Sequence, residues 1–300
     1  MEPDELFDQV PCLAAGPRQV RELPGGLTNR NYKIDLPAGT YVARVASGGS
    51  ELLAINREHE YRNSVRAAKA GVGAPVIEYA PHVGVLVLGF IEGRTYGNAD
   101  VAKPANLLRI ARACLALHAG ERFDGDFDMF AIQRRYLAIT RERGIKIPPG
   151  YGELSSAFGA AELALAPRAE STVPCNNDLL AANFIDDGSK VWLIDYEYSG
   201  NNDPCFELGN LWSESNLSLP QLEALVAAYY GRALRHKVAR ARLWGLMSKY
   251  GWTLWASIQD GVSTIDFDFW SWGMEKYERA VEELDGPQFD RLLRDVQLED

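Results

Sequence analysis

The chain has 300 residues, enough to bury a sizeable core in one large domain or two lobes. Its composition, 47% hydrophobic and 24% charged with no low-complexity tract, is that of a globular protein. A net charge of −10 argues against a nucleic-acid or anionic-membrane surface, since both need basic patches, and is compatible with a small cationic substrate.

Met1-Glu2-Pro3-Asp4-Glu5 has no basic region and no early apolar run follows it, so no secretory leader is expected. No segment has the apolar length of a membrane span, and no membrane insertion is expected. Residues 1–20 read as a short helix and linker. Arg21 to Val45 reads as a β-meander. Leu23-Pro24-Gly25-Gly26-Leu27-Thr28-Asn29-Arg30-Asn31 is its first turn and Tyr32 to Leu36 a strand. Pro37-Ala38-Gly39 turns the chain again, and Thr40 to Val45 returns it with Arg44 among apolar neighbours. A Gly turn between strands is either an ordinary hairpin or a cover for phosphates, with Thr28 and backbone N–H groups as donors. A helix follows over Leu52 to Ala70, then strands at Val76–Tyr79 and Val83–Leu88. Gly89-Phe90-Ile91-Glu92-Gly93 divides the chain into an N-terminal lobe, 1–90, and a mostly helical C-terminal lobe, 91–300.

Beyond Pro104 helices are expected at Ala105–Ala119, Ala160–Leu165, Gln221–Tyr230 and Ala239–Ser248, with Phe127, Phe130 and Tyr136 read as core. Asn201-Asn202-Asp203-Pro204 reads as a polar turn. The segment Tyr250 to Gln259 places Trp252 and Trp255 on one helix face, and Ser263 to Trp272 adds further aromatics. Cys12, Cys114, Cys175 and Cys205 lack metal or disulfide spacing and read as reduced thiols. The four histidines are equally dispersed, and no zinc site is expected. His118 reads as structural.

The most informative stretch is Val173 to Asn210. Asn183-Phe184-Ile185 and Val191-Trp192-Leu193-Ile194 flank Asp186-Asp187-Gly188-Ser189, the pattern of a small β-hairpin. Asp178 precedes it, Asn183 opens it in a D-x-x-x-x-N spacing, and Asp195 closes it. Phosphoryl transfer needs one acceptor to orient and deprotonate a hydroxyl, and oxygen ligands for Mg²⁺. Asp178 suits the base; Asn183 and Asp195 suit the metal. Protein kinases use the same order, a catalytic-loop Asp, an Asn five later, then a metal Asp. Chance occurrence of D-x-x-x-x-N in a loop is the alternative.

P-C-N-N-D-L-L-A-A-N and L-I-D-Y-E-Y-S resemble the catalytic and metal segments of the choline/ethanolamine kinase family, part of the kinase-like superfamily that includes aminoglycoside phosphotransferases. The resemblance covers roughly residues 22–285 and implies an α+β, two-lobed protein-kinase-like fold with a small antiparallel sheet in the N-lobe. It departs from the family at Asn176, where a loop-supporting His is usual, and at Leu180, where a polar residue is common. G-G-L-T-N-R-N-Y is similar to the family's phosphate loop, which implies Gly25, Gly26, Thr28 and Asn29 in nucleotide binding. The resemblance further implies Arg44 at the phosphates, paired with Glu60 (or Glu58), and adenine against the backbone of Gly89 and Ile91.

W-x-x-W followed by I-D-F-D-F-W-S-W is similar to the family's choline-binding end, where ring faces attract a quaternary ammonium. Trp252, Trp255 and Trp272 with Tyr198 are therefore expected to face a pocket above Asp178, and Glu214 to supply the compensating charge. The implied activity is ATP- and Mg²⁺-dependent phosphorylation of choline in the cytoplasm. Ethanolamine, an aminoglycoside or thiamine are alternative acceptors, and a non-catalytic choline or nucleotide sensor is the alternative from another class.

Overall fold

Alternation along two neighbouring strands decides which residues of the N-terminal region face the cleft. The computed structural model describes residues 3–46 and 51–299. Two short helices, α1 (Pro3–Phe7) and α2 (Pro11–Ala14), precede strands β1 (Gln19–Leu23), β2 (Asn29–Leu36) and β3 (Gly39–Ala46). Helix α3 (Arg57–Lys69) and strands β4 (Val76–Ala80) and β5 (Val85–Gly89) complete this region, and the antiparallel sheet has the order β1-β2-β3-β5-β4. Successive side chains point to opposite faces. One face puts Tyr32, Ile34, Ala43, Val85 and Val87 against Phe7, Val10 and Leu13 of the two leading helices. The other carries Arg44, opposite Leu86 in the β3–β5 register. A cation embedded in an apolar strand is thus aimed away from the small core.

Helix α3 starts later than the sequence suggests because Asn56 caps it, its side chain accepting from the N–H groups of Glu58 and His59. That start puts Glu60 in the first turn on the buried side and leaves Glu58 exposed, bonded to Arg62 at 2.9 Å.

The remainder runs through β6 (Arg94–Thr95), α4 (Asn98–Val101), α5 (Pro104–His118), α6 (Met129–Arg143) and α7 (Ser155–Leu165). Then come β7 (Val173–Cys175), β8 (Phe184–Asp186), β9 (Val191–Leu193) and β10 (Gly200–Asn202). Helices α8 (Pro204–Glu214), α9 (Leu219–Tyr230), α10 (Arg235–Val262), α11 (Phe269–Leu284) and α12 (Phe289–Asp295) close the chain. The expected hairpin is β8–β9, with Ile185 opposite Trp192. Asp187 organises its turn by accepting from Ser189 N, Lys190 N and Trp192 Nε1, each at 2.7 Å. Phe127, Phe130 and Tyr136 lie in the core.

Two expectations need correction. Asn201 to Pro204 is not a free turn: Asn201 and Asn202 pair with β7, and Asp203 caps α8 while binding Arg240 and Trp244. Buried hydrogen bonding, which composition does not reveal, orders these polar residues. The segments 239–248 and 250–259 are one 28-residue helix, α10. Its glycines do not break it, because they are where other elements press closest. A Cβ at Gly209 of α8 would meet the Ala241 carbonyl oxygen at 2.0 Å and Gly245 N at 2.8 Å. Among the described residues, no helix is long and apolar enough to cross a membrane.

The α8–α10 crossing yields a stability prediction. Gly209→Ala places a methyl against helix backbone that cannot rotate away, so it should destabilise by about 1–3 kcal/mol, the usual range for overpacking. Thermal unfolding measures this. An unchanged Tm would mean that the two helices separate freely.

Candidate active site

Asp178 sits in a loop whose backbone is held from three directions. Strand β7 delivers the chain to Asn176 and Asn177, whose N–H groups both donate to the buried Glu207 carboxylate, at 2.8 Å each. Asn177 takes a left-handed φ of 67°, tolerable for Asn, and its amide donates to Tyr198 O. Asn176 ties the loop to the segment after β9. Its Nδ2 donates to Ile194 O at 3.1 Å and Asp195 O at 2.8 Å, while its Oδ1 accepts from Asp178 N. The residue that departs from the family pattern therefore performs the supporting role expected of the His.

Asn183 donates its Nδ2 to Asp178 O at 2.7 Å, which turns its amide oxygen toward the cleft. Asp195, at a left-handed φ of 65°, accepts from Arg44 Nη2 at 2.7 Å. Asp178, Asn183 and Asp195 line one cavity of about 70 Å³. Burial pushes the Asp178 carboxyl well above its ordinary range, and the charges of Glu214, Asp195 and Glu197 add to the effect against Lys276. Oxygen donors of this kind, one amide and clustered carboxylates, fit a hard divalent cation such as Mg²⁺.

The sheet side of the cleft is an ion network. Arg44 lies 3.1 Å from Glu60 through Nε, an ion contact rather than an aligned hydrogen bond, and 3.6 Å from Glu197. Burial opposes the charge on Arg44, but Asp195, Glu60 and Glu197 outweigh it and hold the guanidinium above its usual range. Arg57 joins Glu60 at 2.6 Å to Glu197 at 3.2 Å.

Glu197, to which the sequence reading gave no role, is the centre of this network. It accepts from Thr28 Oγ1 at 2.7 Å and from Asn29 Nδ2 at 2.7 Å. Burial, followed by the nearby Asp195 charge, pushes its carboxyl up. The signal in sequence was a carboxylate inside Tyr196-Glu197-Tyr198, a context that buries it and so demands partners. The side chains of Thr28 and Asn29 thus anchor the loop downward. Gly26 is required there, since a Cβ would meet Asn29 O at 2.0 Å; Gly25 has a φ of +98° and lines the cleft. Gly89 N donates to Pro75 O at 2.8 Å, which removes it as a donor to adenine. Ile91 is half-buried just past the end of β5.

The aromatic residues converge as expected. Trp252, Trp255 and Trp272 line the same cavity as Asp178, together with Tyr198. Trp255 Nε1 donates to Tyr198 OH at 2.7 Å, Trp252 meets the Tyr198 ring edge-on at 4.9 Å, and Trp255 meets Trp272 at 5.5 Å. Glu214 does not act as a free compensating charge. It is ion-paired with Lys276, whose ammonium also lies 4.0 Å from the Trp272 ring centre. Glu214 lines an adjoining cavity of about 540 Å³. His118, Cys175 and Glu207, far apart in sequence, do gather their ligand atoms within 4.8 Å, contrary to the dispersed reading of the Cys and His residues. Their hydrogen-bonding capacity is in use, by Tyr229 for His118 and by the catalytic loop for Glu207.

Known proteins are similar to this chain in sequence and fold. Protein LicA of Haemophilus influenzae is 25% identical over 247 residues, 79% of this chain and 72% of the relative. Ethanolamine kinase 2 of Rattus norvegicus is 27% identical over 299 residues, 88% of this chain and 76% of the relative. The structure of a choline/ethanolamine kinase family protein of Mesorhizobium loti superimposes with a TM-score of 0.86 at 30% identity, covering 100% of both chains. Choline kinase LicA of Streptococcus pneumoniae gives 0.79 at 25% identity, over 94% of this chain and 98% of that one. Residues 19–243 match the phosphotransferase enzyme family. With the Asp178 loop, the hairpin and paired Arg44 in a kinase-like fold, the chain belongs to the phosphotransferase enzyme family and, within it, to the choline/ethanolamine kinase family.

Proposed function

We propose that the protein is an ATP-dependent kinase that phosphorylates the hydroxyl of a small ammonium alcohol, choline being the simplest. The observation that carries this reading is one cavity holding Asp178, Asn183 and Asp195 on one side and Trp252, Trp255 and Trp272 on the other. Asp178 is the base: as the acceptor oxygen bonds to the γ-phosphorus, the bond to the bridging oxygen of the departing ADP breaks and the hydroxyl proton passes to Asp178. Its raised affinity for a proton suits that task. Asn183 and Asp195 would hold Mg²⁺, which when bound neutralises phosphate charge. Arg44, fixed by Glu60, contacts phosphate oxygens, and the backbone of Gly25 and Gly26 covers them. Adenine would lie near Ala74, Leu88 and Tyr196, which line a small cavity with Arg44 and Asp195. A cytoplasmic setting supplies the ATP.

Choline is favoured over ethanolamine because ring faces and apolar contact suit a trimethylammonium group, whereas burying three N–H donors without acceptors is costly. A non-catalytic sensor would have no use for Asp178, Asn183, Asp195 and Arg44 together.

Three measurements test the reading. Asp178→Asn should abolish turnover and leave nucleotide affinity nearly intact, because only proton acceptance and hydroxyl orientation are lost; near-native kcat would remove Asp178 from its role. In Asn183→Ala and Asp195→Ala, kcat and Mg²⁺·ATP affinity should fall together. Excess Mg²⁺ should rescue the Asn183 variant more readily, since the Asp195 variant also loses a formal charge. Metal-independent kinetics in both would contradict the site. Trp255→Ala should raise the choline KM about tenfold, equivalent to ~1.4 kcal/mol of cation–π and packing contact. Trp255→Phe, which keeps a ring face, should lose less. Equal KM values for wild type and Trp255→Ala would take choline out of this pocket.

A further inference from the structure

The turn between β1 and β2 belongs by sequence to the sheet, yet three consecutive residues of it are docked on the helical part of the chain. The Leu27 side chain packs against the large helical core, unlike Tyr32, Ile34 and Ala43 of the adjoining strands, which lie in the small core under the sheet. The Leu27 carbonyl oxygen accepts from Gln259 Nε2 at 2.8 Å, across 232 residues of sequence. Thr28 and Asn29 are tied by their side chains to Glu197. Docked in this way, the turn meets the acceptor side of the cleft: Leu27 and Thr28 line the same cavity as Asp178, Trp252, Trp255 and Trp272. Gln259 continues the stripe of the two tryptophans on α10. Trp252, Trp255 and Gln259 stand at i, i+3 and i+7, which is one helix face. The face that offers rings to the cavity thus also holds the backbone of the residue that closes it.

A trimethylammonium group presents apolar methyl surface on every side, and ring faces from one helix wall cover only part of it. The rest gains by contact with aliphatic side chains, and any methyl without such a neighbour forfeits it. We propose that Leu27 is a specificity-determining residue for the acceptor, closing the ammonium pocket from the turn, and that Gln259 is the positioning residue that holds it there. The assignment rests on the reading of this cavity as the acceptor site. Leu27 rewards methyl groups and offers nothing to an N–H donor, so it favours choline over ethanolamine. The same turn carries Gly25 and Gly26, which the kinase reading places over the phosphates. One docked position therefore serves both substrates, and each stabilises the placement that the other needs, a coupling that is reciprocal.

Steady-state kinetics with choline and with ethanolamine test both roles. Leu27→Ala should raise the choline KM about fivefold, or ~1 kcal/mol, while changing the ethanolamine KM much less, because only methyl groups lose a contact. Leu27→Met, an aliphatic chain of similar volume, should recover most of that loss. Gln259→Met keeps the volume and removes the donor, so the turn is released and the KM values for choline and ATP should rise together. Equal rises for choline and ethanolamine in Leu27→Ala would mean a displaced turn rather than a methyl contact, and would overturn the specificity role. Unchanged KM values for both substrates in Gln259→Met would overturn the positioning role, and this variant carries the test if Leu27→Ala does not fold. Trp255→Ala separates the two readings. A raised choline KM there with none in Leu27→Ala overturns the role of Leu27 and leaves the kinase reading standing; no rise in either variant takes choline out of the cavity and overturns both.

Discussion

Everything at the cleft depends on how five buried or half-buried charges are balanced. Arg44 from the sheet and Arg57 from α3 face Glu60, Asp195 and Glu197 across the lobe boundary. Ion pairs this deep are weak evidence for stability, because desolvation offsets most of the Coulomb gain. Their value here is positional. Each guanidinium touches carboxylates from separate elements, so the sheet, α3 and the segment after β9 cannot shift independently. The two cations leave one carboxylate charge unmatched, and Asp178 adds another nearby. A divalent cation held by Asn183 and Asp195 would offset that excess; burial, followed by neighbouring carboxylate charges, raises the proton affinities of Asp178 and Glu197.

Helix α10 carries that organisation to the acceptor side. At 28 residues it is roughly 42 Å long, enough to cross the molecule. Its first half is held by Arg240 against Asp203, the cap of α8. Its middle presents Lys249, Trp252 and Trp255, and Gln259 near its far end donates to Leu27 O in the turn before β2. One rigid element therefore connects the tryptophan wall of the cavity to the Gly25–Asn29 turn. The close glycine crossing with α8 sets the depth of that wall, because α8 delivers Glu207 to the catalytic loop and Glu214 to the acceptor region.

The chemistry legible in sequence was local. Asp178, Asn183 and Asp195 flank one short hairpin, so spacing brought them together, whereas the place of Arg44 came from resemblance and strand alternation is its physical reason. The choice of Glu60 over Glu58 came from resemblance, and the cap at Asn56 is the physical reason that Glu60 is the buried one. What stayed hidden was long-range pairing between polar residues. Glu214 and Lys276 are 62 residues apart, Glu197 and Thr28 169 apart. No periodicity announces such pairs. Strands β7 and β10 were missed for a related reason: with three residues each, a proline in β7 and two buried asparagines in β10, they show no alternation to read.

The same limitation kept the charges around the tryptophans out of the sequence reading. Counting tryptophans measures ring area, and ring area attracts any ammonium, whether it belongs to a ligand or to the chain. Helix α11 carries Trp272 and Lys276 one turn apart, so the residue that lends a face also brings a cation to cover it. Lys249 repeats the arrangement on Trp212. The wall is thus aromatic, and its rings are shared with the chain's own cations. Neither lysine belongs to a motif, so the ring contacts they make were not legible from the tryptophan spacing.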